Sequence, residues 1–257
     1  MRQNNLYLSL NAIFLINLCQ YSILQTNDEI STESLSKQYN SLKKILPFDA
    51  HGWYTNEKWI TMLFNHNKIT SAIEIGSWLG KSTRHIASLL PMSAKLYAVD
   101  TWKGSVEHQS KKRTDVYDKL PTLYEQFLSN IIHAKLTDKI IPIRMTSLEA
   151  ASYLKSIKQQ ISLVYIDAAH DTQSVLQDVE AWYPYIAGRK GILCGDDWNW
   201  RDKKTNLYPI QEALHIFGQK YNLTIYAHEN FWFIVENGQY ETRSFLHAEE
   251  SVWAIIE

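Results

Sequence analysis

The feature that most constrains the fold is a regular alternation of short apolar segments with longer segments of helical pattern. Such alternation is typical of a parallel sheet with helices on both faces, because parallel neighbours can be joined only by a long crossover. The predicted strands are Ser71–Gly76, Lys95–Asp100, Lys139–Arg144, Ile161–Asp167 and Gly191–Gly195. The predicted helices are Gly80–Leu90, Asp115–Ala134, Ser147–Leu154, Thr172–Ile186 and Ile210–Lys220.

Two further apolar segments, Leu223–Ala227 and Phe231–Val235, leave no room for a helix between them. They predict an antiparallel hairpin. The predicted fold is therefore α/β, with a doubly wound, mostly parallel sheet and an antiparallel C-terminal hairpin. In such sheets ligands bind outside the carboxyl ends of the strands. The residues that follow each predicted strand are therefore the candidates for a functional site.

The bulk composition limits the partners that the chain can have. A length of 257 residues fits one main domain with appendages. The predicted divisions are an apolar N-terminal segment at 1–24, a linker or helix at 25–46, the main domain at 47–238 and a C-terminal tail at 239–257. The formal net charge is −1, so no basic field predicts nucleic-acid binding. The 2 cysteines, Cys19 and Cys194, are too few and too distant for a disulfide framework or a zinc ribbon.

Residues 6–24 (LYLSLNAIFLINLCQYSIL) are strongly apolar. The segment fits a secretory signal or a membrane anchor, and it fits an amphipathic helix equally well. Asn11, Asn17 and Gln20 interrupt the apolar run, and no small-residue cleavage motif follows it. We expect membrane contact, if there is any, only through this segment.

The segment IGSWLGKST, Ile75–Thr83, follows the first predicted strand and nearly matches a phosphate-binding P-loop. A P-loop has four residues between its first glycine and Gly-Lys-Ser/Thr, whereas only three separate Gly76 from Gly80. The shorter loop leaves a smaller ring of backbone N–H groups for a phosphate. A P-loop NTPase or kinase, with Lys81 and Ser82 at phosphate and Mg²⁺, is therefore kept as an alternative.

The same loop suits a ligand that carries no phosphate. Glycines at 76 and 80 allow the backbone to approach a ligand closely. Asp100, which ends the second predicted strand, can accept both hydroxyls of a ribose. Glu74 would repel a phosphate but attract an amino group. S-adenosylmethionine fits these requirements, because it has a ribose and an amino group and carries no phosphate.

Four segments at predicted strand ends carry a resemblance to a known family. They are EIGSWLGKST (Glu74–Thr83), YAVDTWKGS (Tyr97–Ser105), LVYIDAAHD (Leu163–Asp171) and ILCGDDW (Ile192–Trp198). From Gly52 to Gly238 the sequence resembles class I S-adenosylmethionine-dependent methyltransferases. Within that class it resembles the branch of metal-dependent small-molecule O-methyltransferases, which includes catechol and macrolide-sugar enzymes. The resemblance implies a seven-stranded sheet with a reversed last strand, and methyl transfer to an oxygen of a small molecule.

The resemblance also implies a cofactor site. The residues that it places around the methionine part of the cofactor are Glu74, Gly76, Ser77, Gly80 and Ser82, with Asp100 at the ribose. Trp102, just after Asp100, could stack on the adenine or pack in the core. Ser82 could instead only cap the following helix.

Three aspartates are the metal ligands that the resemblance implies. Asp167 ends the fourth predicted strand, and Asp196 and Asp197 follow the fifth. Their carboxylates suit octahedral Mg²⁺, or Mn²⁺ as a substitute. Such an ion would lower the pKa of the acceptor hydroxyl and orient it. A solvated acidic turn is the alternative for the adjacent pair.

His170 is the candidate general base, with Asp167 as a second catalytic residue, because imidazole titrates near neutral pH. His170 could instead be structural. Asn199, two residues past Asp197, cannot act as a base, which leaves a non-catalytic S-adenosylmethionine-binding module as a further alternative. The cofactor is made in the cytoplasm, so a cytoplasmic location is expected. The segment Thr101–Thr114, basic at Lys111-Lys112-Arg113, is expected to be a solvated loop.

Overall fold

Eight strands form one mixed sheet in the computed structural model, which describes residues 37–189, 191–235 and 254–256. The strands are β1 (Ala72–Ile75), β2 (Leu96–Asp100), β3 (Ile140–Arg144), β4 (Leu163–Ile166), β5 (Ile192–Gly195), β6 (Thr224–His228), β7 (Phe231–Val235) and β8 (Ala254–Ile256). Their order in the sheet is β3-β2-β1-β4-β5-β7-β6-β8. Strands β1 to β5 pair in parallel, and β5–β7, β7–β6 and β6–β8 pair antiparallel.

A helix follows each parallel strand as the sequence pattern predicts, although the predicted helix Asp115–Ala134 is divided in two near Pro121 and a further helix precedes β1. The helices are α1 (Glu57–His66), α2 (Lys81–Leu89), α3 (Thr114–Tyr117), α4 (Leu123–His133), α5 (Ser147–Ser156), α6 (Thr172–Ile186) and α7 (Pro209–Tyr221). Short 3-10 turns at Val106–Gln109 and Leu120–Thr122 flank α3. The Thr146 side chain caps α5 by accepting from the backbone N–H of Glu149, and Asp171 caps α6 in the same way through Ser174.

The sheet separates two apolar cores. Alternate residues of a strand point to opposite faces, so Ala72 packs with α1, α2 and α4, whereas Ile73 packs with α5, α6 and α7. The central strands β1, β4 and β5 are buried along their whole length. Burial on both faces explains their continuous apolar sequence, and it confirms the predicted doubly wound α/β sheet.

The C-terminal hairpin is confirmed, and the sheet extends beyond it. Strands β6 and β7 pair directly, and Ala254–Ile256 adds an eighth strand beside β6. Part of the predicted tail thus belongs to the sheet.

On the N-terminal side, residues that precede the predicted start of the domain also contact it. The Tyr39 hydroxyl donates to the carbonyl of Ile140 at 2.8 Å, and the backbone N–H of Leu46 donates to Ser129 Oγ at 2.9 Å. The predicted segment 1–24 lies outside the described residues. Among the helices that are described, none is long and apolar enough to cross a membrane.

The register brings the strand ends together at one edge. Ile75, the last residue of β1, pairs with Val99 on one side and Ile166 on the other. Ile166 in turn pairs with Gly195. The next residues along each chain segment therefore meet at the same edge of the sheet, where this topology places ligands.

Candidate active site

A cavity of about 490 Å³ opens at the carboxyl edge of the sheet. Residues that follow the parallel strands β1 to β5 form its wall. The predicted site residues that line it are Gly76, Ser77, Ser82, Asp100, Asp167, His170, Asp196 and Asp197. Glu74, Gly80 and Trp102 lie behind this wall rather than in it.

Gly76 allows the loop after β1 to pass directly against the loop after β4. Its φ is +90°, a conformation that residues with a Cβ rarely adopt. A Cβ added there would stand 1.7 Å from the carbonyl oxygen of Asp167. Gly76 is thus required by the close approach of two backbones that both line the cavity.

Gly80 shapes the same turn from behind. It precedes α2 with a φ of +78°, and its N–H donates to the carbonyl of Ser77 at 2.7 Å. A Cβ at this position would come within 3.0 Å of Phe127 in the core. Ser77 lines the cavity, and its buried hydroxyl lies beside the Glu74 carboxyl without a well-formed hydrogen bond to it.

Glu74, which the resemblance places around the methionine part of the cofactor, does not line the cavity. It lies within β1 and is fully buried, and the Thr83 hydroxyl donates to its Oε2. Burial raises the pKa of Glu74, although the hydroxyls of Ser82, Thr83 and Ser77 act in the opposite direction. The carboxyl group is placed against the hydroxyl side chains of the loop, and it supports that loop from within the sheet.

Asp100 holds the cavity wall together through both of its carboxylate oxygens. The backbone N–H of Trp78 donates to Oδ2 at 2.9 Å, and that of Trp102 donates to Oδ1 at 2.7 Å. Both tryptophans have positive φ, 46° and 49°. Hydrogen bonds to a carboxylate stabilise these otherwise unfavourable conformations. Burial raises the pKa of Asp100 against the effect of these backbone donors.

Of the two alternatives for Trp102, stacking on adenine or packing in the core, the structure supports packing in the core. The Trp102 side chain is 2% exposed and packs against Tyr124 and Phe127, with ring centroids 4.8 and 4.7 Å away. Its Nε1–H donates to the carbonyl of Trp78 at 2.9 Å. The positive φ of Trp102 turns the indole away from the cavity, and Trp78 lines the cavity instead.

The three aspartates line one region of the cavity and differ in their partners. Asp196 accepts from its neighbour's backbone N–H at Oδ1 and from the Tyr165 hydroxyl at Oδ2. Burial and the neighbouring carboxylates raise the pKa of Asp167 well above its ordinary value, and the pKa of Asp196 to about 6. Within the described residues, no three His, Cys, Asp or Glu side chains form a ready group of metal ligands.

His170 is held on three sides. Its Nε2 lies 2.8 Å from Asp197 Oδ2, its Nδ1 lies 3.3 Å from Glu107 Oε2, and the Trp200 ring stacks on it at 4.8 Å. Burial lowers the pKa of His170, but the hydrogen bonds and charges of Asp197 and Glu107 outweigh burial and raise it. Because ionised carboxylates only accept hydrogen bonds, both ring nitrogens act as donors here. The carboxylates on both sides of the ring favour its protonated form, and the role of His170 as the general base stays a prediction.

The sequence of residues 73–198 matches a family described as a methyltransferase domain. The chain carries a methyltransferase domain. The prediction of a class I methyltransferase-like protein is thereby confirmed, and it is preferred to the P-loop alternative.

Solved structures share the fold of this methyltransferase at low sequence identity. The O-methyltransferase from Bacillus cereus in complex with SAH is 15% identical, over 80% of this chain and 91% of that one, with a TM-score of 0.52. The O-methyltransferase TomG from Streptomyces achromogenes, in complex with SAM, is 12% identical over 80% and 89%, with a TM-score of 0.55. No curated protein matched the sequence.

Two further side chains bear on the alternatives to methyl transfer: Lys81 lines the cavity, whereas Asn199 does not. Lys81 is exposed, and its Nζ donates to the carbonyl of Gly52 at 3.1 Å. Asn199 donates from Nδ2 to the carbonyl of Glu229 at 2.6 Å, at the turn between β6 and β7. Asn199 therefore serves the hairpin turn, and its inability to act as a base is no argument against catalysis.

Sequence reasoning missed several residues that line the cavity of the methyltransferase. Thr101 follows β2, and Met145 and Ser147 follow β3, so the strand-end rule could have found them. Glu107 and His108 belong to an irregular segment and follow no strand directly. No periodicity in the sequence indicates which way their side chains point.

Proposed function

We propose that the methyltransferase uses S-adenosylmethionine to methylate an oxygen of a small molecule. The observation that carries this proposal is that one cavity contains both Asp100 and the group of Asp167, Asp196 and His170. Its volume, about 490 Å³, lies within the usual range for small-molecule sites. The O-methyltransferases with the same fold support oxygen as the accepting atom. Because this cofactor is made in the cytoplasm, the proposal includes a cytoplasmic location.

The residues present fit S-adenosylmethionine. Gly76 gives close access to the backbone, and the buried Ser77 hydroxyl makes no well-formed hydrogen bond among the described residues, so a polar ligand could supply one. Asp100 uses each carboxylate oxygen for one backbone donor, which leaves lone pairs for two ribose hydroxyls. When bound, the cofactor supplies a methyl group on a sulfonium sulfur, and a thioether is left after transfer.

Asp167 is the side chain that we propose to receive the proton of the acceptor hydroxyl. A raised pKa makes a carboxylate a better base, and Asp167 has such a pKa because it is buried beside Asp196 and Asp197. His170 donates through both nitrogens in this arrangement and so orients Asp197 rather than accepting a proton. Asp167 would accept the proton of the acceptor hydroxyl as that oxygen bonds to the methyl carbon, and the cofactor would supply this methyl group with cleavage of its carbon–sulfur bond.

Carboxylate oxygens are ligands that Mg²⁺ and Mn²⁺ prefer, but the three aspartates would have to move to hold such an ion, because no three His, Cys, Asp or Glu side chains of the described residues form a metal-binding group as placed. Asp167, Asp196 and Asp197 would hold the ion, and the raised pKa values at Asp167 and Asp196 reflect negative charge that a cation would neutralise. Bound there, the ion supplies a Lewis acid that lowers the pKa of the acceptor hydroxyl. Activation by the ion and proton transfer to Asp167 are alternative ways to deprotonate the acceptor hydroxyl, and removal of the ion by a chelator distinguishes between them.

Replacing Asp167 by asparagine should reduce methyl transfer at least about 100-fold, since either route needs its charge. The affinity for S-adenosylmethionine should change less than about threefold, because Asp167 is proposed to act on the acceptor hydroxyl rather than to hold the cofactor. Transfer of a labelled methyl group into a pool of small metabolites measures the first effect, and calorimetry measures the second. The control is Asp171→Asn, since Asp171 caps α6 and does not line the cavity. Unchanged transfer by the Asp167 variant would remove this residue from the mechanism.

Chelation tests the metal directly. If Mg²⁺ assists the reaction, EDTA should lower transfer at least about tenfold and added Mg²⁺ should restore it. Calorimetry of the wild-type protein with MgCl₂ alone should show binding that disappears in Asp196→Asn, because that variant removes one carboxylate of the site. Full turnover after chelation, with no heat from Mg²⁺, would leave Asp167 as the base and rule out the metal.

A further inference from the structure

Residues 101–113, which we call the lid segment, form one side of the cavity rather than a free loop. They connect the end of β2 to α3 and contain the 3-10 turn Val106–Gln109. Thr101, Ser105, Glu107 and His108 from this segment line the cavity. The expectation of a solvated loop is therefore wrong for its inner residues, whereas Lys111 and Lys112 are exposed and Arg113 is exposed but also lines the cavity.

The first attachment of the lid segment is an ion pair. Glu107 Oε2 lies 3.3 Å from His170 Nδ1, on the opposite side of the ring from Asp197. His170 follows β4, whereas Glu107 follows β2, so the pair joins two sides of the cavity. Glu107 is half exposed and His170 is 19% exposed, so water reaches the pair from the Glu107 side.

The second attachment is aromatic. The His108 ring lies 4.7 Å from the Trp78 ring and is stacked at 5.9 Å on the Trp53 ring. Trp78 belongs to the loop after β1, and its Nε1–H donates to His51 Nδ1 at 3.2 Å. Trp53 precedes α1 and is 51% exposed. One short segment thus contacts three separate parts of the cavity wall through adjacent residues, Glu107 and His108.

We propose that Glu107 is a positioning residue that fixes the His170 ring and keeps the lid segment closed over the acceptor end of the cavity. With Asp197 at Nε2 and Trp200 on one face, the ring has a single free nitrogen for an outside partner, and Glu107 occupies it. The inference rests on the proposed function for its acceptor, but the contacts themselves do not depend on any ligand.

Limited digestion of the full-length protein with trypsin tests whether Glu107 keeps the segment closed. Trypsin cleaves after Lys111, Lys112 and Arg113, which lie at the exposed end of the segment. In Glu107→Gln, cleavage there should be about three- to fivefold faster, because proteolysis follows the population of the open form and one partly exposed ion pair is lost. His108→Ala should accelerate the same cleavage independently, since it removes the aromatic attachment.

The matched control is Glu180→Gln, which breaks the Glu180–Lys220 ion pair between α6 and α7. It should leave cleavage in the lid segment at the wild-type rate, and all variants should keep the wild-type melting temperature within about 2 °C. Equal cleavage of wild type and Glu107→Gln would overturn the proposal. Equal acceleration in Glu180→Gln would overturn it as well, because the effect would then reflect general loosening.

A spectroscopic measurement distinguishes positioning of His170 from a purely structural role. The imidazole ¹⁵N signals of His170, assigned by their loss in His170→Gln, should shift in Glu107→Gln and stay in place in Glu180→Gln. Unchanged His170 signals in Glu107→Gln would overturn the positioning role. None of these measurements needs donor or acceptor. If they succeed and S-adenosylmethionine fails to bind, the positioning role stands and the proposed methyl transfer falls.

Discussion

Replacing Gly76 by alanine is expected to lower the free energy of unfolding by about 3 kcal/mol or more, and to abolish cofactor binding in whatever protein still folds. The added Cβ would stand 1.7 Å from the carbonyl oxygen of Asp167, far inside van der Waals contact. Relief requires the loops after β1 and β4 to separate, and both line the cavity. Chemical denaturation measures the stability, and calorimetry with S-adenosylmethionine measures the binding.

Gly188→Ala is the matched control for Gly76→Ala. Gly188 also has a positive φ, +67°, but a Cβ there would meet nothing within 4 Å. Gly188→Ala should lower the free energy of unfolding by only about 1 kcal/mol, the cost of a positive φ for a residue with a Cβ, and should bind the cofactor with wild-type affinity. Similar losses of stability in the two variants would show that the approach of the two loops is looser than the structure has it.

Replacing Asp100 by alanine should weaken the binding of S-adenosylmethionine about 100-fold or more. Two hydrogen bonds between a carboxylate and ribose hydroxyls are worth roughly 3 kcal/mol together, which corresponds to that factor. The variant should also lose the acceptors for the N–H groups of Trp78 and Trp102, so the wall that carries Trp78 should loosen. Calorimetry measures the affinity. Thermal denaturation shows how far the variant is destabilised, and hence how much of the loss of affinity follows from loosening of the cavity wall.

Asp171→Ala provides the comparison for Asp100→Ala. Asp171 also accepts a backbone N–H, that of Ser174, but it does not line the cavity. Its variant should lose about 1 kcal/mol of stability as a helix cap, with an unchanged dissociation constant. Wild-type affinity in Asp100→Ala would contradict the assignment of the ribose end.

The residues that could be predicted from the sequence are those whose position follows from topology. Asp100 ends β2, whereas Gly76, Asp167 and Asp196 each come directly after a parallel strand, and the register of the sheet brings all four to one edge. No side-chain detail is needed for that inference, because the carboxyl ends of parallel strands always share an edge.

The sequence leaves open the direction in which side chains point. Glu74 is one of the alternating residues of a buried strand, so it faces α2 rather than the cavity. Trp102 is two residues past β2, and its positive φ turns the ring into the core, which the sequence pattern does not reveal. The Glu107–His170 contact joins residues 63 positions apart through an irregular segment, where no periodicity sets the geometry.

Calorimetric titration of the wild-type protein with S-adenosylmethionine tests most directly whether this cavity binds the methyl donor. We expect one site per chain with a dissociation constant in the micromolar range, and binding about 100-fold weaker in Asp100→Ala. A folded protein that gives no binding heat at about 1 mM ligand would contradict the assignment of this cavity to the methyl donor.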